Sequence, residues 1–314
     1  MRILALAFLF VSAALAQPYP AKPIRIVVPS PAGGPSDVGA RVLGEKIAAS
    51  WGQPVVIENR PGGNNIIGTQ VVAKATPDGY TLLMALDSTL TMHPSLYSNL
   101  PYDPAKDFAP VALAFVSPIV IITDASGPSS VRELIQMAKA NPGKVSFGAG
   151  TLTTRLAGEL LKSQTGTDML IVPYKGSAGT TQGLLSKDVT FTLDGVTTSM
   201  PHIRSGKLKV LANLTQRPIA ALRGLPTFAA ETGIPDFDVS VWLGFVAPAG
   251  TPREIVAKLN QEIVRVLGLA DVKEKLTSIG MEPGSGTPAE FESYIRAETD
   301  KWQRVIKASG FKAE

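Results

Sequence analysis

Short apolar runs alternate along this chain with segments whose apolar residues recur at helical spacing. Residues 24–29 read IRIVVP, a β-branched run that predicts a strand. Val38, Val42, Leu43, Ile47 and Trp51 then recur near helical spacing and predict a helix over 38–51. The pattern repeats with a strand at 55–58, a helix at 66–75 and a strand at 80–85. A second series follows. It has strands at 119–123, 144–147, 168–173, 189–193 and 207–214, with helices at 131–140, 154–165 and 178–185 between them. Two helical segments close the chain, 252–267 and 288–307. Each opens on Thr-Pro, a threonine suited to the cap and a proline suited to the first turn.

Alternation of this kind predicts an α/β protein with largely parallel sheets. Two series of similar length predict two similar lobes, at residues 17–120 and 121–244. The segment 245–314 is too short for a third domain and is expected to return to the first lobe. Ligands of such proteins bind at the carboxyl ends of strands, in the crevice between lobes.

The first 16 residues break the pattern. MRILALAFLFVSAALA has a positive start at Arg2, an unbroken apolar run from Ile3 to Val11 and an A-x-A site at Ala14–Ala16. This reads as a secretory signal peptide cut before Gln17. Its apolar run is shorter than the ~20 residues of a spanning helix. With no cysteine there, a lipoprotein anchor is excluded.

Composition narrows the chemistry. The 314 residues contain no cysteine, which removes disulfides, thiolate metal sites and cysteine nucleophiles together, and fits a bacterial periplasm. Only His93 and His202 are available as histidines, so a His-rich metal centre is excluded. Thirty basic against 26 acidic residues give a net charge of +4 without any basic stripe, so nucleic acid is not an expected partner. No P-loop, G-x-S-x-G elbow, H-E-x-x-H or calcium loop occurs. No cofactor or metal is expected, and no reactive constellation stands out.

Two strand–helix loops have anion-binding chemistry. The first, 30–37, reads SPAGGPSD. Gly33 and Gly34 allow close backbone approach, Pro35 suits a first helical turn, and Ser36 and Asp37 can cap free amides. Free amides at a helix start attract a carboxylate or phosphate. The same sequence also suits a tight turn without a ligand. The second, 148–155, reads GAGTLTTR. Gly150 and three threonines, Thr151, Thr153 and Thr154, precede Arg155, whose fork matches a carboxylate. A polar turn is the alternative, and a dinucleotide fingerprint is incomplete because Thr153 replaces its third glycine. Other strand ends carry weaker signals. Asp87 and Ser88 follow the strand at 80–85 and can face the cleft or cap a helix. Tyr174, Lys175 and Gly176 follow the strand at 168–173, and Lys175 can form a positive wall. Asp194 can be a hinge or a pocket group. His93 and His202 read as structural.

Six spaced motifs in one order resemble the extracytoplasmic solute-binding receptors of tripartite tricarboxylate transporters, the Bug family. They are SPAGGPSD at 30–37, ENRPGGNNIIGTQVVAKATPDGYTLL at 58–83, LPYDPAKDF at 100–108, VPYKGS at 172–177, LPTFAAETG at 225–233 and VWLGFVAPAGTP at 241–252. The resemblance implies a two-lobed Venus-flytrap fold, type II-like, with two crossing hinge strands. It also implies capture of a small carboxylate for a membrane permease, by a monomer. By position it implies ligand contacts at Ala32, Gly33, Gly34 and Ser36, at 150–154, at 174–176 and at Asp194. Arg155 stands where such receptors usually read histidine, and His93 where they read asparagine. A cleft-facing Arg155 would favour a second anionic group on the ligand. A cleft-facing Asp87 would favour an amino group. A sensor for a membrane signalling partner and an exported enzyme are the alternative functions.

Overall fold

A computed structural model describes residues 19–215, 219–235 and 237–312. The expected signal peptide at 1–16 lies outside the described residues. The chain opens with β1 (Ile24–Val28), α1 (Pro35–Trp51), β2 (Val55–Asn59), α2 (Ile66–Ala73) and β3 (Thr81–Leu86). Two short helices, α3 (Asp87–Thr91) and α4 (His93–Leu96), lead to the long strand β4 (Phe108–Pro118). β1 is apolar at four of its five positions and buried at all four, as a strand covered on both faces must be. It lies between β2 and β3, parallel to both.

One residue, Ile119, separates β4 from β5 (Val120–Asp124) and carries the chain into a second sheet. There follow α5 (Val131–Ala140), β6 (Ser146–Ala149), α6 (Leu152–Thr165), β7 (Leu170–Pro173), α7 (Ser177–Leu185), β8 (Phe191–Asp194), α8 (Met200–Arg204), β9 (Leu208–Asn213) and α9 (Phe228–Thr232). The sheet order is β7-β6-β8-β5-β9, with β6 parallel to β7 and β8 and β5 antiparallel to its neighbours.

The chain then returns to the first sheet as β10 (Ser240–Pro248), followed by α10 (Arg253–Leu267), α11 (Ala270–Ser278), β11 (Glu282–Pro283) and α12 (Pro288–Ser309). β10 inserts between β3 and β4, antiparallel to both, giving the order β11-β4-β10-β3-β1-β2. The outgoing and returning segments lie side by side. The Leu214 amide donates to the Ile119 carbonyl at 2.9 Å, and the Val239 amide to the Leu214 carbonyl at 2.9 Å.

The final helices divide their allegiance. α10 and α11 pack on the first lobe, where Leu259, Ile263, Val266 and Leu276 join its core. α12 does not simply return there. Its Phe291 packs edge-on against Trp242 of β10, whereas Trp302 and Ile306 are buried in the core of the second lobe. The expectation that 245–314 belongs to the first lobe therefore fails for the last turns of α12. Its apolar positions are spaced over 22 residues, long enough to serve two cores. Thr287 caps α12 through a reciprocal box with Glu290. Thr251 does not cap α10. Its hydroxyl donates to the Pro248 carbonyl at 2.7 Å, and the helix begins at Arg253.

Candidate functional site

The carboxyl ends of β1, β3, β6, β7 and β8 meet between the two sheets, where two adjoining cavities open. The larger, about 650 Å³, is lined from the first lobe by Ser30, Pro31, residues 61–65, Leu86 and Ser88. From the second lobe it takes residues 149–152, Arg155 and residues 173–176. The smaller, about 90 Å³, shares Ser30, Pro31, Leu86, Thr151, Lys175 and Gly176 with it. It adds Ala32, Gly34, Pro35, Ser36, Ser117, Ser177, Asp194 and Gly195.

The first loop is held by Asp37 together with Arg41 of α1 and Asn59 of β2. Asp37 accepts the Gly33 amide at 2.9 Å and Arg41 Nε at 3.0 Å. Burial opposes ionisation of Asp37, but hydrogen bonds from Arg41, Gly33 and Asn59 outweigh it and hold the carboxyl below its ordinary range. Asn59 in turn accepts from Arg41 and donates to the Ser30 carbonyl at 3.2 Å. Gly33 adopts φ +82°, which a side chain would resist, and is exposed on the loop rather than lining either cavity. α1 starts after Gly34 with no side-chain cap and with Pro35 in its first turn. Its start therefore faces the smaller cavity with no side chain capping its amides, the Asp37 carboxylate in the same turn being engaged with Gly33 and Arg41.

The second loop behaves differently from its reading in sequence. Thr151 accepts the Thr154 amide, and the Thr154 hydroxyl reaches back to Thr151, so α6 is capped internally. Thr153 and Thr154 are fully buried and line neither cavity. The uncapped helix start that this lobe turns toward the cavities is that of α7, after Gly176, which faces the smaller one through Gly176, Ser177 and Ala178. Backbone packing holds the two loops together. The Gly176 amide donates to the Gly150 carbonyl at 3.0 Å, and a Cβ on Gly150 would lie 2.7 Å from the Gly176 carbonyl carbon. Tyr174 lines the larger cavity, its ring seated where a Cβ on Gly183 would lie 2.2 Å from its hydroxyl.

Each carboxylate has a defined place. Asp194 accepts from Ser177 Oγ at 2.8 Å, Thr180 Oγ1 at 2.6 Å and the Gly195 amide at 2.8 Å. Burial raises its pKa against these three hydrogen bonds. It braces the start of α7 from the cavity floor. Asp87 is not a cleft residue. It is 1% exposed, accepts Thr153 Oγ1 at 2.8 Å and the Ser88 amide at 2.7 Å, and lines neither cavity. Burial pushes its pKa up to about 7, opposed by the Thr153 and Ser88 hydrogen bonds, with Glu298 adding to the rise and Lys301 working against it. Ser88 alone of that pair reaches the larger cavity. Among the described residues, Asp194 is then the one carboxylate lining either cavity, and its oxygens are already engaged. An ammonium group would find no free acid here.

Positive charge and unpaired donors are present instead. Lys175 lines both cavities, and Arg155 lines the larger. The hydroxyls of Ser30 and Ser117 and Nε of Arg155 are buried without a hydrogen-bond partner. The sequence reading missed Ser117, the glycine-rich loop at 61–65, and Ser177 with Ala178 as lining residues. The loop was visible as RPGGNN, a third strand–helix turn with the same character as the first. Ser117 had no signal, being one polar residue in an apolar run whose strand was itself not anticipated. The histidines are apart from the cleft. His93 is buried beside Tyr102, and His202 lies on α8.

Comparison with known proteins agrees with this geometry. The model of the tripartite tricarboxylate transporter family receptor matches residues 39–311. BugT of Bordetella pertussis is 36% identical over 321 aligned positions, covering 99% of this chain and 98% of its own. Among solved structures, Rpa4515 of R. palustris with adipate superposes with a TM-score of 0.88 at 35% identity, covering 93% of this chain and 98% of that one. The periplasmic binding protein BugD gives 0.85 at 33% identity over 94% and 100%. MatC from Rhodopseudomonas palustris with bound malate gives 0.83 at 30% identity over 92% and 100%. The fold is the two-lobed α/β fold of periplasmic binding proteins.

Proposed function

The chain belongs to the receptor family of tripartite tricarboxylate transporters, solute-binding receptors rather than enzymes, and we propose that it captures a small di- or tricarboxylate, or a related organic acid, between its lobes. One observation carries this reading. The uncapped starts of α1 and α7, one from each lobe, converge on a single cavity beside the unpaired hydroxyls of Ser30 and Ser117. Helix starts and buried hydroxyls of this kind suit one carboxylate group. Lys175 and Arg155 extend positive charge into the larger cavity, where the remainder of the ligand lies.

In this reading Ala32, Gly34 and Ser36 form the first-lobe wall, and Thr151, Tyr174, Lys175 and Gly176 the second. Gly33, Gly150 and Asp194 shape those walls, and Thr153, Thr154 and Asp87 act from beneath. Adipate and malate in the two related structures support a carboxylate ligand. The signal sequence at 1–16 exports the chain to the periplasm, where it works as a monomer whose cleft is complete within one chain. A ligand touching both lobes stabilises their closed arrangement, and the closed form delivers it to a tripartite tricarboxylate-type permease.

Calorimetric titration of refolded protein with succinate, malate, adipate and citrate tests the assignment. At least one binds and is recovered unchanged, while neutral sugars give no heat. Binding of sugars alone, or conversion of the bound acid, contradicts it.

A further inference from the structure

Phe311 lies just beyond α12, far in sequence from the cleft, yet it touches the cleft's arginine. Gly310 ends the helix at φ +63°, a left-handed turn that brings the chain back on itself. The Phe311 ring is thereby placed with its centroid 5.0 Å from Cζ of Arg155. A guanidinium at that distance over an aromatic face is held by cation–π attraction and loses part of its rotamer freedom. Arg155 has no other visible restraint. Its Nε is buried without a partner, and among the described residues no carboxylate forms an ion pair with it. It nonetheless lines the larger cavity, to which the first lobe contributes Asn64 and Asn65. An unpaired guanidinium held on an aromatic face, lining the larger cavity and not the smaller, suits a second anionic group on the ligand.

We infer that Phe311 is a positioning residue that sets Arg155 as the specificity determinant for a distal carboxylate, so that the extreme C-terminal turn governs discrimination between dianionic and monoanionic ligands. This rests on the carboxylate-receptor reading above. It adds that the segment beyond α12 contributes to selectivity without touching the ligand.

The test titrates matched pairs of α,ω-dicarboxylates and monocarboxylates of four to seven carbons into refolded full chain and variants. The wild type binds at least one dicarboxylate tenfold or more tighter than its monocarboxylate partner. Arg155→Met lowers that dicarboxylate affinity by tenfold or more and reduces the preference for the dicarboxylate over its monocarboxylate partner at least fivefold. Phe311→Ala produces the same selective loss at threefold or more, Phe311→Trp restores it, and Phe311→Ala adds nothing on top of Arg155→Met. A Phe311→Ala effect that is absent, equal on both ligand types, or additive with Arg155→Met overturns the inference and leaves the carboxylate reading standing. A wild type that prefers monocarboxylates overturns the inference likewise. A wild type that binds no carboxylate, while melting as a single folded species, overturns both.

Discussion

Thr153 of the second lobe donates its hydroxyl to Asp87 of the first, Oγ1 to Oδ2 at 2.8 Å, beneath the cleft floor. Both side chains are excluded from solvent, at 0% and 1% exposure. The bond joins the first turns of α3 and α6, one from each lobe. α12 covers the same place, with Glu298 and Lys301 facing Asp87. Glu298 accepts from Trp302 Nε1 at 3.2 Å and from Lys301. A carboxylate that looked available for a ligand amine is thus a link between lobes.

The link predicts a pH signature. Burial raises the Asp87 pKa to about 7, above its ordinary 3.8. The folded chain therefore holds this proton over a range where the unfolded chain has released it. The stabilisation is full below about pH 4, falls as pH rises, and is lost above about pH 7. Thermal melts of wild type and Asp87→Asn from pH 4 to 8 isolate the group from other carboxylates. The difference in stability shifts in favour of the variant as pH rises through this window, by about 1.4 kcal/mol per pH unit at most. A difference independent of pH contradicts the assignment.

His93 gives the opposite slope. Tyr102 donates its hydroxyl to the Thr89 carbonyl at 3.0 Å, so the His93 Nδ1 proton must be the donor in the 2.7 Å bond to Tyr102. An Nδ1 proton is present in both the neutral and the charged ring, and it is the burial of Nε2 without a partner that favours the neutral form. Burial lowers its pKa to about 4. The unfolded chain takes up a proton near pH 6.5, the folded chain only near pH 4. The stabilisation is full above 6.5 and declines as pH falls toward 4. His93→Asn removes this component, and the melting temperatures of the two proteins converge as pH is lowered from 7 to 4. Parallel curves would show that the ring titrates as in solvent.

Gly150→Ala tests the second-lobe loop. The added methyl meets the Gly176 carbonyl carbon at 2.7 Å, a contact between two backbones that neither can relieve by a rotamer change. The loops separate, and the start of α7 moves out of line with that of α1. We expect affinity for the preferred carboxylate to fall tenfold or more, with a stability loss of about 1–3 kcal/mol. Unchanged affinity in a folded variant would remove this loop from the site.

Much of this architecture was visible in the amino-acid pattern. β1 to β3 and the second-lobe strands are compact apolar runs between glycine- or proline-marked turns, and their positions hold to within a few residues. β4 and β10 escaped because their burial comes from pairing with each other and from neighbours distant in sequence. The first loop was legible because Gly33, Pro35 and Asp37 each have a local task. The second is legible only in part: Gly150, Thr151 and Arg155 line the cavity, whereas Thr154 is used to cap α6 with Thr151 and Thr153 is bonded to Asp87, a choice the sequence leaves open between structure and ligand binding. Asp87 was likewise ambiguous, since only the approach of α6 and α12 takes it out of water. No local pattern connects Arg155 with Phe311, which are brought together by the path of α12.

A cleft whose one lining carboxylate, Asp194, is already engaged is built for carboxylates rather than amines, and thermal shift of refolded protein tests this most directly. The panel pairs succinate with aspartate and adipate with 2-aminoadipate, beside malate, citrate and neutral sugars. A ligand present at 100 times its Kd adds about 2.7 kcal/mol of stability, an easily resolved shift. The account predicts shifts confined to carboxylates, with each amino-bearing acid weaker than its plain partner. Shifts produced by the amino acids alone, or by sugars alone, would contradict it.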